Sequence, residues 1–124
     1  MKAPINVLGT PLMTCCLDPK TGWYRDGACN TDDDDLGSHT VCARVTQEFL
    51  EFLQMLGNDL MTPHPQHGFP GLSDGDQWCV CAGSWRQAFQ AGKDCEVLLE
   101  STHAAALEIV PLEELLAHAF GVET

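Results

Sequence analysis

The stretch TVCARVTQEFLEFLQMLG, residues 40–57, carries the two periodicities from which the fold of this chain is read. From Thr40 to Val45 apolar and other residues alternate: Val41, Ala43 and Val45 share one side, Cys42 and Arg44 the other. A period of two is that of a half-buried strand. The period then changes. Phe49, Leu50, Leu53 and Leu56 recur at helical spacing, so a helix is expected from about Gln47 to Leu56, with Thr46 as its cap and Gly57 as its stop. Glu48 falls in the first turn, where the helix dipole favours an acid. A strand followed directly by an amphipathic helix is the seed of a mixed α and β domain.

The same reading extends towards the C-terminus. Asp76 to Ala82 reads as a second strand, with Trp78, Val80 and Ala82 on one face and Cys79 and Cys81 on the other. Ser84 is expected to cap a helix running through Ala91, with Trp85, Ala88 and Phe89 inward and Gly92 as its end. Glu96–Glu100 reads as a third strand and His103–Ile109 as one or two helical turns. Pro111 opens a last helix to about Gly121, with Leu112, Leu115, Leu116, Ala119 and Phe120 on its apolar face. Towards the N-terminus, residues 1–38 are rich in turn formers and too sparse in apolar residues for a helix. Asn58–Gly75 is a second long loop, broken by Pro63, Pro65 and Pro70. Ordered loops of such length in a small domain are often functional. The expected architecture is therefore one compact α+β domain over residues 1–124. It has a small sheet, three to four helices and two long ordered loops, with the N-terminal segment packed on the sheet.

The composition narrows the function. A chain of 124 residues with 44% hydrophobic and 19% charged residues suits a single core. No stretch approaches the ~20 apolar residues of a membrane helix. The N-terminal segment lacks the uninterrupted apolar run of a leader, so a cytoplasmic protein with no membrane association is expected. Only 6 basic residues stand against a formal net charge of −12. That balance argues against binding a phosphate backbone, so no nucleic-acid partner is expected. It does favour the attraction of cations. The oligomeric state is not legible.

Seven cysteines are the other strong signal. They fall as Cys15-Cys16, Cys79-x-Cys81 and the singles Cys29, Cys42 and Cys95. In a reducing compartment they are expected to be free or metal-bound, with some serving as small buried apolar groups. Cys79 and Cys81 at i and i+2 of a strand would point the same way, with Cys42 facing them from a paired strand. Arg44, next to Cys42 but one, supplies a cation that would favour a thiolate there. Zinc is a possible cofactor, but the cysteine spacings are not the two-to-four-residue separations of ordinary zinc turns. A zinc site here needs ligands from separate segments, and His39, His64 and His67 could add nitrogens.

Other motifs resolve less. Asp32-Asp33-Asp34-Asp35 fails the calcium-loop template, because Asp35 stands where glycine is needed and Val41 where glutamate is. The run reads as a solvated acidic turn. His64 and His67 lie in the proline-rich loop near Asp59 and Asp74, where a histidine can serve as base or ligand. His103 follows Ser101-Thr102 at an expected strand-to-helix junction and suits either a pocket or a local cap. The chain has no Gly-x-Gly-x-x-Gly, phosphate loop, Gly-x-Ser-x-Gly, His-Glu-x-x-His or Cys-x-x-Cys.

Many separate segments together resemble an uncharacterised bacterial family, domain of unknown function 2237. They run from Asn6-Val-Leu-Gly9 to about Leu116. They include Pro11-Leu12 with Cys15-Cys16, Gly22-Trp23-Tyr24-Arg25-Asp26-Gly27, Cys29, His39 and Val41-Cys42-Ala43. Gly57-Asn58-Asp59-Leu60, Thr62-Pro63, Gly68-Phe69-Pro70-Gly71-Leu72 and Gly75-Asp76 follow. Trp78-Cys79-Val80-Cys81-Ala82, Thr102-His103 and Ala106-Leu107 complete the pattern. The resemblance takes in Cys15, Cys16, Cys29, Cys42, Cys79 and Cys81, but not Cys95 or the aspartate run. It implies no activity.

These readings combine into an expected pocket, made where the two loops fold over the sheet. It would bind a small molecule or carry thiol-dependent chemistry. Cys79 or Cys81 would be the nucleophile and His103 the acid or base. Arg25 would anchor an anion, with Asp26, His39 and Asp59 completing the ligand-binding wall. Two rival readings stand beside it. One is a zinc-binding module with Cys15, Cys16, Cys29 and Cys42 as structural ligands. The other is an interaction scaffold whose cysteines are buried and inert.

Overall fold

The computed structural model describes residues 4–17, 21–35 and 37–120. Its centre is a three-stranded antiparallel sheet in the order β2-β1-β3, built from β1 (Val41–Arg44), β2 (Gln77–Val80) and β3 (Glu96–Val97). The helices are α1 (Gln47–Met55), α2 (Ala82–Gln90) and α3 (Leu112–Ala117), joined by short 3-10 turns at Pro65–His67, Leu99–Ser101 and Ala104–Glu108. The fold is a single α+β domain. Among the described residues no helix is long and apolar enough to cross a membrane.

The strand–helix unit of residues 40–57 forms for the reasons its sequence carries. Val41, Ala43 and Val45 are buried in the main core, while Cys42 points to the opposite side of the sheet. The Thr46 hydroxyl accepts the Phe49 N–H at 3.1 Å and caps α1. Phe49, Leu50 and Leu53 are buried against the sheet, but Leu56 is half exposed, so the apolar stripe is one residue shorter than its spacing suggests. Gly57 adopts φ +96° and lets the chain reverse. The N–H groups of Gly57 and Asn58 then return to the carbonyls of Gln54 and Leu53.

Three elements depart from expectation. The second strand ends at Val80, and Cys81 is the extended N-cap residue of α2, which begins at Ala82. Ser84 therefore lies inside the helix instead of capping it, and no side chain caps this end. The third strand is only Glu96–Val97, because the chain turns into a 3-10 segment at Leu99. The last helix stops at Ala117, since the following residues gain more as a sheet edge. The Val97 N–H donates to the His118 carbonyl and the Phe120 N–H to the Val97 carbonyl, so Ala119 forms a parallel bridge with Val97. Phe120 lies under the Arg44 guanidinium, 4.9 Å from its ring centre. Gly121, read as the helix stop, lies outside the described residues.

The sheet is covered on both faces. One carries the apolar core, with Trp78, Val80 and Val97 packed against Phe49, Trp85 and Leu115. The other is covered by the N-terminal loop, which is fastened by two disulfides, Cys15–Cys42 and Cys29–Cys79. Cys42 and Cys79 sit directly opposite each other in the β1–β2 register, yet each bonds to the loop and not to its neighbour. This corrects the expectation that the thiols are free or metal-bound: four of the seven are paired in this state, and Cys16, Cys81 and Cys95 are free. The disulfides close loops of 27 and 50 residues. Chain-entropy arguments assign such loops roughly 3.5 and 4 kcal/mol when considered singly. Buried side-chain hydrogen bonds complete the seam. The Cys79 N–H donates to the Thr21 hydroxyl at 2.8 Å, and the Asn6 amide bridges Thr10, Pro11 and Glu100.

Candidate thiol site

The site is built on the turn that ends β2. Because Cys81 is the N-cap of a nine-residue helix, its side chain leaves the sheet and stands at the positive end of α2. The Ala82 N–H, one of the helix donors without an intrahelical partner, donates to the Ser38 carbonyl at 3.0 Å. That bond docks the loop around Ser38 onto the helix end. Ser38 takes φ +50° to make the docking turn, a left-handed conformation that costs a non-glycine residue of order 1 kcal/mol. The hydrogen bonds of Ser38 and Thr40 around the turn offset it.

The docked loop brings three groups into line. The Cys81 Sγ lies 3.3 Å from His39 Nε2. His39 Nδ1 lies 2.6 Å from Asp35 Oδ1. The second oxygen of Asp35 accepts the His39 N–H at 2.9 Å and the Thr31 hydroxyl at 2.9 Å. The Asp35 side chain is fully buried, whereas that of His39 is about one-third exposed. Trp23 stacks on the imidazole with ring centres 5.8 Å apart. Gly37 leaves room for the arrangement, since a Cβ there would come within 3.0 Å of the Cys81 sulfur and 3.3 Å of the His39 ring.

The electrostatics follow from these contacts. The hydrogen bond with Cys81 and, against the opposing effect of burial, the contact with the Asp35 carboxylate push the His39 pKa up to about 9. Burial pushes the Asp35 carboxyl up. The bonds from His39 and Thr31 outweigh it and hold the group below the usual carboxylate range. At neutral pH the imidazole is therefore cationic, held by a buried anion, with the sulfur on its far nitrogen. An imidazolium so placed stabilises negative charge that develops on sulfur.

This triad opens into a cavity of about 430 Å³ lined by Arg25, His39, Asn58, Asp59, Leu60, His64, Phe69, Trp78, Cys79, Val80 and Cys81. The first loop contributes Arg25 and His39; the second contributes Asn58 to Phe69. The Arg25 guanidinium lies 5.0 Å over the Trp78 ring. Phe69 meets Trp78 edge-on and is itself stacked by His64. The cavity thus has an apolar aromatic wall, a cation at that wall and the free Cys81 thiol in its lining.

Not every residue singled out from the sequence belongs here. Cys79 is bonded to Cys29 and nearly fully buried, so in this state it is no nucleophile; the strand ends between it and Cys81, and the two sulfurs have different fates. His103 is not at the cavity. Its Nδ1 accepts the Ala105 N–H at 2.9 Å and caps the 3-10 turn, and burial lowers its pKa. Asp26 also lies outside the cavity lining, its carboxylate accepting the Ala28 N–H. Asp59 lines the wall, but its carboxylate is engaged by the Thr62 hydroxyl and the N–H groups of Met61 and Thr62, which hold it below the ordinary range. Cys16 is free and half-buried and is not a member of the cluster of buried cysteines, Cys15, Cys29, Cys42 and Cys79. The His67 side chain lies outside what is described. The residue missed is Asp35. Asp32, Asp33 and Asp34 are exposed as expected of an acidic turn, but the fourth aspartate is buried. The available signal was its spacing of four from His39.

A family model described as an uncharacterized protein conserved in bacteria, domain of unknown function 2237, matches residues 5–119. The chain belongs to this family. No curated protein matches the chain.

Proposed function

We propose that this protein is a thiol-dependent enzyme acting on a small acyl compound. Cys81 is the nucleophile, His39 its acid–base partner and Asp35 the group that orients the imidazole. The observation that carries this reading is the contact chain Asp35–His39–Cys81, at 2.6 and 3.3 Å, opening into a cavity. A nucleophile within reach of a base that is itself oriented by a third group is the recurring arrangement of covalent catalysis.

The chemistry follows from the placement. The Cys81 sulfur attacks the acyl carbon while His39 holds the thiol proton on Nε2. The carbon–leaving-group bond breaks and that proton passes to the leaving group, forming an acyl thioester. Water, or another acceptor that gives its proton to Nε2, then attacks the thioester and releases the sulfur. Charge on the acyl oxygen is met by the positive end of α2, whose first-turn N–H groups beyond Ala82 have no intrahelical partner. Asp35 keeps the Nδ1 hydrogen fixed, so that Nε2 alone exchanges protons.

The cavity suggests the substrate class. Its volume suits a small molecule. Trp78 and Phe69 suit an apolar or planar body, and Arg25 suits an anionic group such as a carboxylate. A cytoplasmic location has one feature against it, the two disulfides, because reducing compartments keep thiols unpaired. Burial of all four sulfurs is what would shield those bonds there.

The test is direct. Native protein is mixed with p-nitrophenyl acetate, and the modified residue is located by mass spectrometry. A burst of p-nitrophenolate with the acetyl group on Cys81 supports the reading. Acetylation spread evenly over Cys16 and surface amines, or a burst undiminished in Cys81→Ala, sinks it. Absence of any reaction at Cys81 before unfolding favours the inert scaffold instead.

A further inference from the structure

Beyond the pocket, the buried sulfurs on the opposite face form a second cluster. The Cys15, Cys29 and Cys79 sulfurs all lie within 4.8 Å of one another. Cys42 is bonded to Cys15 and stands opposite Cys79 in the sheet register. We propose that, once reduced, Cys15, Cys29, Cys42 and Cys79 form a tetrathiolate site for one zinc ion. The disulfide pair and the metal are then alternative fastenings of the N-terminal loop to the sheet.

The geometry favours this over four idle thiols. Zinc–sulfur bonds of about 2.3 Å place tetrahedral sulfurs roughly 3.8 Å apart. The Cys15, Cys29 and Cys79 sulfurs already lie within 4.8 Å of one another, with Cys29 and Cys79 drawn closer by their bond; reduction lets that pair separate and releases Cys42, now held to Cys15, opposite Cys79 in the sheet. All four residues are at most 3% exposed, so the site excludes water as a closed structural site does. The ligands come from four places: two loop positions and two adjacent strands. This explains why the spacing in the chain hides the site, since the β1–β2 register does the work of a short zinc turn. The ligand set differs from the expected one, for Cys16 is outside the cluster and Cys79 is within it.

The interconversion balances. Each disulfide takes two electrons and two protons from a dithiol reductant, which leaves as its own disulfide. The four thiols then release four protons as zinc binds. Oxidation by a peroxide reverses the sequence: each sulfur pair gives up two electrons, the peroxide becomes water, and the ion is expelled. Cys81 takes no part, so the thiol site survives in both states.

The full chain is reduced with a phosphine under anaerobic conditions and titrated with cobalt(II), a spectroscopic stand-in for zinc. The expected result is one cobalt per chain, with thiolate charge-transfer absorption and the visible bands of tetrahedral coordination, displaced by one equivalent of zinc. The oxidised chain shows neither. Cys29→Ser and Cys42→Ser lose the tetrathiolate spectrum, while Cys81→Ser and Cys16→Ser keep it. A reduced chain that unfolds and recovers its circular dichroism on addition of zinc also supports the proposal. A reduced chain that shows no cobalt–thiolate absorption, folded or unfolded, overturns it, as does a spectrum unchanged in Cys29→Ser and Cys42→Ser.

Discussion

Cys79 and Cys81 are two residues apart and chemically identical, yet they end in opposite regions of the molecule. Cys79 points from the middle of the sheet into a sealed seam, where its sulfur is bonded to Cys29. Cys81 sits one residue beyond the strand, half-buried at a helix end, where its sulfur meets His39 in an open cavity. The seam is held by covalent bonds and contains no charged partner among its cysteines and Leu98. The pocket is held by hydrogen bonds and an ion pair. The surroundings of the two sulfurs are thus decided by where a strand stops, because a continued strand would have set both on one face.

The sharpest way to break the comparison is to remove each sulfur. Cys81→Ala is expected to abolish covalent modification in the pocket while leaving the unfolding midpoint in denaturant nearly unchanged. A stability loss as large as that of a disulfide variant would show instead that Cys81 is structural. The double variant Cys29→Ser/Cys79→Ser does the reverse. Measured under oxidising, metal-free conditions, it should lose about 4 kcal/mol, roughly a thousandfold in the folding constant, as expected for a 50-residue loop. Once folded, its Cys81 should still react with iodoacetamide.

His39→Ala is expected to slow alkylation of Cys81 at pH 7 by about 100-fold, the common worth of a positioned acid–base group. The pH dependence has a definite sign. The His39 pKa is raised from 6.5 to about 9 on folding. Its stabilising contribution is therefore complete below pH 6.5 and is lost as pH rises through about 9. The gap in unfolding midpoint between wild type and His39→Gln should narrow over that interval; a gap that widens would contradict the ion pair. The smallest effect belongs to Gly37→Ala, whose added methyl would crowd Cys81 and His39. Roughly tenfold slower alkylation with little change in stability is expected, since only alignment is disturbed.

The parts of this molecule that were legible are those governed by neighbours in the chain. Strand β1, the Thr46 cap and the buried Phe49, Leu50 and Leu53 follow from alternation, hydroxyl chemistry and helical spacing. The C-terminal end was misread because Ala119 and Phe120 continue a helical pattern, but pairing with Val97 and stacking on Arg44 outweigh local propensity. His39 and Arg25 were legible as candidates by residue type. Asp35 was not, because three exposed aspartates before it disguise the one that is buried.

Sequence alone determined the class of fold and the cysteine inventory, since these rest on local periodicity and counts. Tertiary structure decided which sulfurs are bonded, which one meets a histidine and which aspartate is buried against that histidine. The sulfur contacts join residues 27 to 50 positions apart, and only the closed sheet with its docked loops brings them together; the Asp35–His39 contact spans four positions but depends on the same loop docking.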